Sequence, residues 1–231
     1  VYEITGKNTI NIKYNSQATP EEISLFLLGS CLGVILYQRG FLPFHASSVY
    51  ISGKGAIFFT GDSGAGKSTI LNALLQKGYK MISDDVNAIK ISEKPLVYPS
   101  FPKVKLWQDT ADKLNIDTSA LKKISKNYDK YSKPVIDELF HNEICEPYMI
   151  YEINKYKGDS VILEEISPVE KVQLIYRNTY RVHYLEKLNK HQEHFQQVGV
   201  LANSVKVKKI YRPENKDTIS EIIDLLEKDF L

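Results

Sequence analysis

Nine consecutive residues, Gly61, Asp62, Ser63, Gly64, Ala65, Gly66, Lys67, Ser68 and Thr69, have types and a spacing that suit one chemistry, the holding of a nucleotide's phosphates. Glycines let a backbone wrap closely enough for successive N–H groups to point inward at phosphate oxygens. A helix opening at Ser68 adds the positive end of its dipole, and Lys67 adds a full charge against the outer phosphates. Ser68 also offers a hydroxyl to Mg²⁺. The pattern G-x-x-x-x-G-K-[ST], a P-loop or Walker A motif, arises by chance in about one chain in a hundred of this size. Here an apolar strand (AIFFT) precedes it and an amphipathic helix follows, as the motif requires. ATP and Mg²⁺ are the expected ligands. A P-loop alone does not specify a reaction, so the discriminating residues lie elsewhere.

Asp84 and Asp85 are the first of these. They follow the strand after the P-loop helix, which places them at the C-terminal edge of a sheet, beside the phosphates. One carboxylate there is expected as a Mg²⁺ partner. A second can take a proton from an attacking hydroxyl, because a like charge raises a carboxyl pKa while Mg²⁺ and Lys67 lower it. A polar turn closing the strand is the plainer alternative. His45 opens a strand pair whose second strand runs into the P-loop, so antiparallel pairing brings it near Gly61. Phosphoryl transfer usually uses a further cation. Arg177, ahead of Arg181 in LIYRNTYR, is the candidate, against the alternative of a helix-end arginine on carbonyls. The basic, tyrosine-bearing stretch 121–133, with Lys133 its first member to test, could clamp phosphates or a peptide, or be a solvated loop. Trp107 packs, or stacks on a base.

The elements that must position these residues follow from local patterns. Residues 1–14 alternate as strands around Gly6-Lys7-Asn8, and Thr19-Pro20-Glu21-Glu22 opens a helix running to Gly40. Strands are expected over 48–51 and 56–60, a helix over 68–76, and strands over 79–83 and 86–91. Residues 95–102 read as irregular, and 107–114 and 119–125 as helical, while 126–142 resist assignment. Strands over 147–153 and 160–166, helices over 168–176 and 185–202, a strand over 205–211 and a helix from Asp217 to Phe230 complete the chain. Strands and helices mix, with hairpins among them, which predicts a single α/β domain with a mixed central sheet. That domain is expected to span 1–231. Residues 1–44 would be its N-terminal strands and helix, 45–91 its P-loop and aspartate core, and 92–231 the sheet completion, substrate-binding region and C-terminal helices.

Composition narrows the classes. A chain of 231 residues with 43% hydrophobic and 25% charged residues is that of an ordinary globular domain. A net charge of +2 argues against a dedicated nucleic-acid binder. Two cysteines, Cys31 and Cys145, suit a reducing cytosol and read as buried thiols. The apolar run 23–37 is shorter than the roughly 18–20 residues of a membrane span, and Glu21 and Glu22 precede it, so a buried helix and no membrane partner are expected.

FHASSVYISGKGAIFFTGDSGAGKST, followed by LLQKGYKMISDDV, resembles the catalytic domain of the HPr serine kinases. The resemblance is tight over 41–90 and loose beyond. It implies a fold related to the phosphoenolpyruvate carboxykinases and transfer of phosphate from ATP to a serine hydroxyl. It also implies that His45 orients a catalytic base, Asp84, with Asp85 a Mg²⁺ partner beside Ser68; the two aspartates could exchange roles. The family's L-E-I-R-G-L-G-like signature is not found, so HPr is not the expected acceptor. Three stretches, Gly29 to Ser47, YPSFPKVKLWQDTADKL and LIYRNTYR, resemble the shortened kinases of lasso peptide biosynthesis. That resemblance implies a precursor peptide as partner, phosphorylated at its C-terminal serine in the cytoplasm, and homo-oligomerisation is a further expectation. A regulatory nucleotide-binding module without transfer chemistry and a small-metabolite kinase, for free serine, are the alternatives.

Overall fold

The computed structural model describes residues 1–125 and 128–230. Lys126 and Asn127, within the basic stretch, and Leu231, at the end of the expected domain, lie outside the described residues. The chain opens with a hairpin, β1 (Tyr2–Thr5) and β2 (Thr9–Ile12). Thr19 then caps α1 (Pro20–Phe26): its hydroxyl accepts from the Glu22 N–H, and the Glu22 carboxylate accepts from the Thr19 N–H. A π turn (Leu27–Cys31) carries the helix into α2 (Leu32–Gln38). The expected buried helix is buried only in part. Cys31, Gly33, Ile35 and Tyr37 pack inward, whereas α1 buries none of its residues. By length and composition alone, Pro20–Gln38 is apolar enough to cross a membrane.

The phosphate-loop region follows as β3 (Phe41–Phe44), β4 (Ser47–Ile51), β5 (Gly55–Thr60), α3 (Lys67–Gln76), β6 (Lys80–Ser83) and β7 (Asn87–Lys90). Next come β8 (Leu96–Tyr98), β9 (Lys103–Trp107), α4 (Gln108–Lys113), β10 (Lys122–Ser125) and β11 (Tyr128–Pro134). The rest is β12 (Pro147–Tyr156), β13 (Ile162–Glu165), α5 (Pro168–Arg177), α6 (Tyr184–Leu188), α7 (His191–Ser204), β14 (Lys206–Pro213) and α8 (Ile219–Phe230). Three expectations fail. The irregular 95–102 contains a strand, β8, and the helix expected over 119–125 is the strand β10. Both are made by pairing with distant strands, which overrides local propensity. The helix expected over 185–202 is two helices, broken at Asn189, whose φ is 53°.

Six strands form a mixed central sheet in the order β13-β14-β12-β5-β4-β6. β12 is parallel to both β5 and β14, while β4 is antiparallel to β5 and β6. The strands β5, β6, β12 and β14 therefore run the same way and end at one edge. Alternation decides the two faces. Ile57 and Phe59 pack with Leu71 and Leu74 of α3 and Ile222 and Leu226 of α8. Ala56 and Phe58 pack with Leu174 of α5 and Val198 and Leu201 of α7. Because both faces are covered, β5 is buried at every position, which is why its sequence shows no polar alternation. Two three-stranded antiparallel sheets, β3-β7-β8 and β10-β11-β9, flank this core.

Candidate active site

β5 ends at Thr60, and the P-loop turns from it into α3. Gly61 has φ 130°, and a Cβ there would lie 2.4 Å from the Ile153 carbonyl oxygen of β12, so no larger residue fits the start of the loop. Gly66, at φ 117°, is the residue from which α3 begins, one position earlier than the pattern suggests. The Lys67 ammonium folds over the loop and donates to the carbonyls of Gly61 at 2.6 Å and Asp62 at 3.1 Å. Burial pulls the Lys67 pKa below the ordinary lysine value, against the opposing pull of Asp85, Asp84 and Asp62. From β14, the Arg212 guanidinium donates to the carbonyls of Ala65 at 2.7 Å and Gly64 at 3.4 Å, bracing the loop from outside. Asp62 and Ser63 are exposed. The Thr69 hydroxyl meets that of Thr110 at 3.2 Å, on α4.

Asp84 and Asp85 follow β6 and meet different neighbours. Asp84 accepts from the Ser47 hydroxyl at 2.7 Å and from the Lys105 backbone N–H at 2.8 Å, and the Ser68 hydroxyl stands 3.5 Å from its Oδ1. Burial raises its pKa, despite the Lys105 N–H. Asp85 pairs with the Lys105 ammonium. Burial would raise the Asp85 carboxyl too, but Lys105 and His45 outweigh it and hold the group below the usual carboxylate range. Its backbone has φ 76°, a left-handed conformation that a non-glycine residue adopts only at a cost. The His45 Nδ1 donates to the Asp85 carbonyl at 2.9 Å and lies 3.4 Å from its Oδ1, which stabilises that turn and fixes the tautomer with hydrogen on Nδ1. Burial lowers the His45 pKa.

Antiparallel pairing does bring His45 to the P-loop: Thr60 donates to its carbonyl at 2.8 Å. The pairing of partners expected within the site is reversed, however. His45 meets Asp85 and not Asp84, while the Ser68 hydroxyl stands beside Asp84. Arg177 reaches the same edge, but its guanidinium grips the buried Glu152, with Nη2 at 2.6 Å from Oε1. Glu152 stands opposite Thr60 in the β12–β5 register. The Arg177 charge is thus balanced locally, and Arg181 stacks on Tyr180 and Tyr184. In the basic stretch, Lys133 donates to Asn72 of α3 at 3.2 Å. Lys130 lies 4.8 Å from the centre of the Trp107 ring, close enough for its charge to act on both aspartates and Lys67. Trp107 is 41% exposed, so it is not a core residue. Cys31 is buried as expected; Cys145 is half-buried, its thiol pushed up to about 11 by burial.

Three residues that shape the site went unread in the sequence: Lys105, Ser47 and Arg212. The alternation Lys103-Val104-Lys105-Leu106-Trp107 was the available signal for Lys105, since it puts both lysines on one face of a strand. The oxygen donors of Ser68 and Asp84 suit a hard cation such as Mg²⁺. Among the described residues no group of three or more His, Cys, Asp and Glu gathers into a self-sufficient metal site.

No protein-family model matches the chain, and no curated protein matches it. Among solved structures, the chain is similar to the HPr(Ser) kinase/phosphatase from Coxiella burnetii, at 14% identity and a TM-score of 0.41, over 81% of this chain and 89% of that one.

Proposed function

We propose that the chain is an ATP- and Mg²⁺-dependent kinase that moves the γ-phosphate to a serine hydroxyl, with the C-terminal serine of a lasso precursor peptide as acceptor. The observation that carries this proposal is the unlike surroundings of two adjacent carboxylates. Asp84 stands with the P-loop serine, and Asp85 is held ionised by Lys105 and braced by His45. A module that only binds nucleotide needs the first and has no use for the second. In the reaction, the loop N–H groups and Lys67 bind the β- and γ-phosphates. Ser68 and Asp84 would hold Mg²⁺, whose charge offsets that of the phosphates when it is bound. The acceptor oxygen forms a bond to the γ-phosphorus while the bond from that phosphorus to the β,γ-bridging oxygen breaks, and ADP departs. Asp85 takes the hydroxyl proton. This reading takes the exchanged order that the sequence left open, with Asp85 as base and Asp84 beside the metal.

Intact mass spectrometry tests the proposal. The protein, ATP and Mg²⁺ are incubated with a lasso precursor peptide ending in serine, with HPr and free serine as parallel acceptors. A one-phosphate gain on the terminal serine, lost in Lys67→Ala, is expected. Retention of bound ATP without gain on any acceptor would instead establish a regulatory module.

A further inference from the structure

Behind the aspartate pair lies a cavity of about 480 Å³, within the size range of small-ligand pockets. One wall is the incompletely buried N-terminal helix, which contributes Leu25, Leu28, Leu32 and Leu36. The opposite wall includes Phe101 and Ile124. Leu28 and Phe101 on these walls are 40% and 48% exposed. Asp84, Asp85 and Lys105 also border the cavity. The pair thus lies between the P-loop, where Asp84 meets Ser68, and an apolar chamber that both carboxylates border. That is the arrangement required of a base set between a phosphate donor and its acceptor.

Two features say what enters. Five cations, Arg39, Lys103, Lys105, Lys122 and Lys123, line the cavity against three carboxylates, Glu21, Asp84 and Asp85, so an anionic group meets an excess of positive charge there. β10, which supplies Lys122 and Ile124 and packs beside α1, is an outer strand of its sheet, the position at which an extended chain can add by main-chain pairing. A lipid alcohol would use the apolar walls alone. An extended peptide uses all three features.

We infer that this cavity is the acceptor site and that it selects an extended peptide carrying leucine- or phenylalanine-sized side chains just before the acceptor serine and a free carboxylate at its end. The inference rests on the proposed kinase activity for its acceptor hydroxyl, but it concerns the cavity's selectivity. Binding and transfer are therefore measured separately. Fluorescent peptides ending in serine are compared with Leu-Phe or Ser-Ser before that serine, each as free acid and as amide. Kd is read by anisotropy with Mg²⁺ and a non-hydrolysable ATP analogue, and transfer is read by intact mass.

The Leu-Phe free acid is expected to bind about tenfold or more tightly than the Ser-Ser peptide, the discrimination an apolar pocket supplies for lost methylenes. Leu28→Asp, at an exposed position, should raise the acceptor Kd and KM together while the KM for ATP holds. Lys122→Glu should weaken the free acid and spare the amide. Selective binding without phosphate gain would sustain the acceptor cavity and remove the kinase proposal. Phosphate gain indifferent to the flanking residues and to Leu28→Asp would do the reverse. Displacement of the peptide by a long-chain alcohol at lower concentration than by the unlabelled peptide would overturn the peptide as occupant.

Discussion

Replacing Lys105 by methionine should destabilise the protein in a way that depends on pH. The substitution keeps most of the side chain's length and its backbone N–H bond to Asp84, and removes the ammonium that pairs with Asp85. Removing one partner of a fully buried pair costs about 3–5 kcal/mol. Here Lys105 and Asp85 keep 31% and 25% of their side chains exposed, which sets the cost nearer about 2–3 kcal/mol. For a chain of 231 residues this is a fall in Tm of about 4–12 °C at pH 7. Lys105 holds the folded Asp85 carboxyl below its unfolded value, so the stabilisation is complete above about pH 3.9 and is lost as pH falls through the folded value. In the variant, burial dominates and raises the Asp85 pKa, so protonation relieves the penalty at a higher pH. Thermal unfolding followed by circular dichroism from pH 7 to pH 4 should therefore show the gap between wild type and variant narrowing as pH falls. A gap of constant size across that range would refute the electrostatic account and leave Lys105 as a packing residue.

Four further substitutions, and one double variant, separate the roles in the site. Asp85→Asn should abolish phosphate transfer while Mg²⁺-dependent ATP binding, read by calorimetry, stays close to wild type; Asp84→Asn should weaken that binding, and the opposite pattern would restore the first assignment of the pair. Arg177→Met should leave the buried Glu152 without its ion pair, held by the Asn178 amide, and lower Tm, with Arg177→Met/Glu152→Gln recovering much of the loss. A lowered kcat at unchanged Tm would show instead that the arginine acts on the transferred phosphate. Arg212→Met removes a charge-assisted bond to the P-loop carbonyls and should raise the KM for ATP about tenfold, the equivalent of about 1.5 kcal/mol, with little effect on the acceptor KM.

Local grammar carried much of the fold. The capping boxes at Thr19 and Ser167, the hairpin into the P-loop and the strand before Asp84 all depend on residues a few positions apart, and all are present. The failures share a cause. β8 and β10 are short strands without alternation, defined by partners on β7 and β11, and a three- or four-residue segment carries too little periodicity to declare itself. The half-exposed N-terminal helix is a different case. Its apolar run reads as a core helix because sequence records how apolar a face is, and not whether anything covers it; the open part of that face became a cavity wall.

The aspartate pair shows where legibility ends within a motif. The spacing placed two carboxylates at one sheet edge, and that much followed from β6 alone. What distinguishes them comes from elsewhere in the chain. In an extended strand, adjacent side chains point to opposite sides. Here both carboxylates converge on Lys105, one on its N–H and the other on its ammonium, because Asp85 takes a left-handed turn that His45 braces through the carbonyl oxygen. Lys105 lies on β9, in a separate three-stranded sheet, and no rule of local spacing connects it to Asp84. The two aspartates are equivalent in sequence, and the unequal burial and charge supplied by β9, α3 and the strand start at His45 make them chemically different. The order of roles proposed for them thus rests on the tertiary fold, which is why Asp84→Asn and Asp85→Asn should fail in different ways although the residues are neighbours of one type.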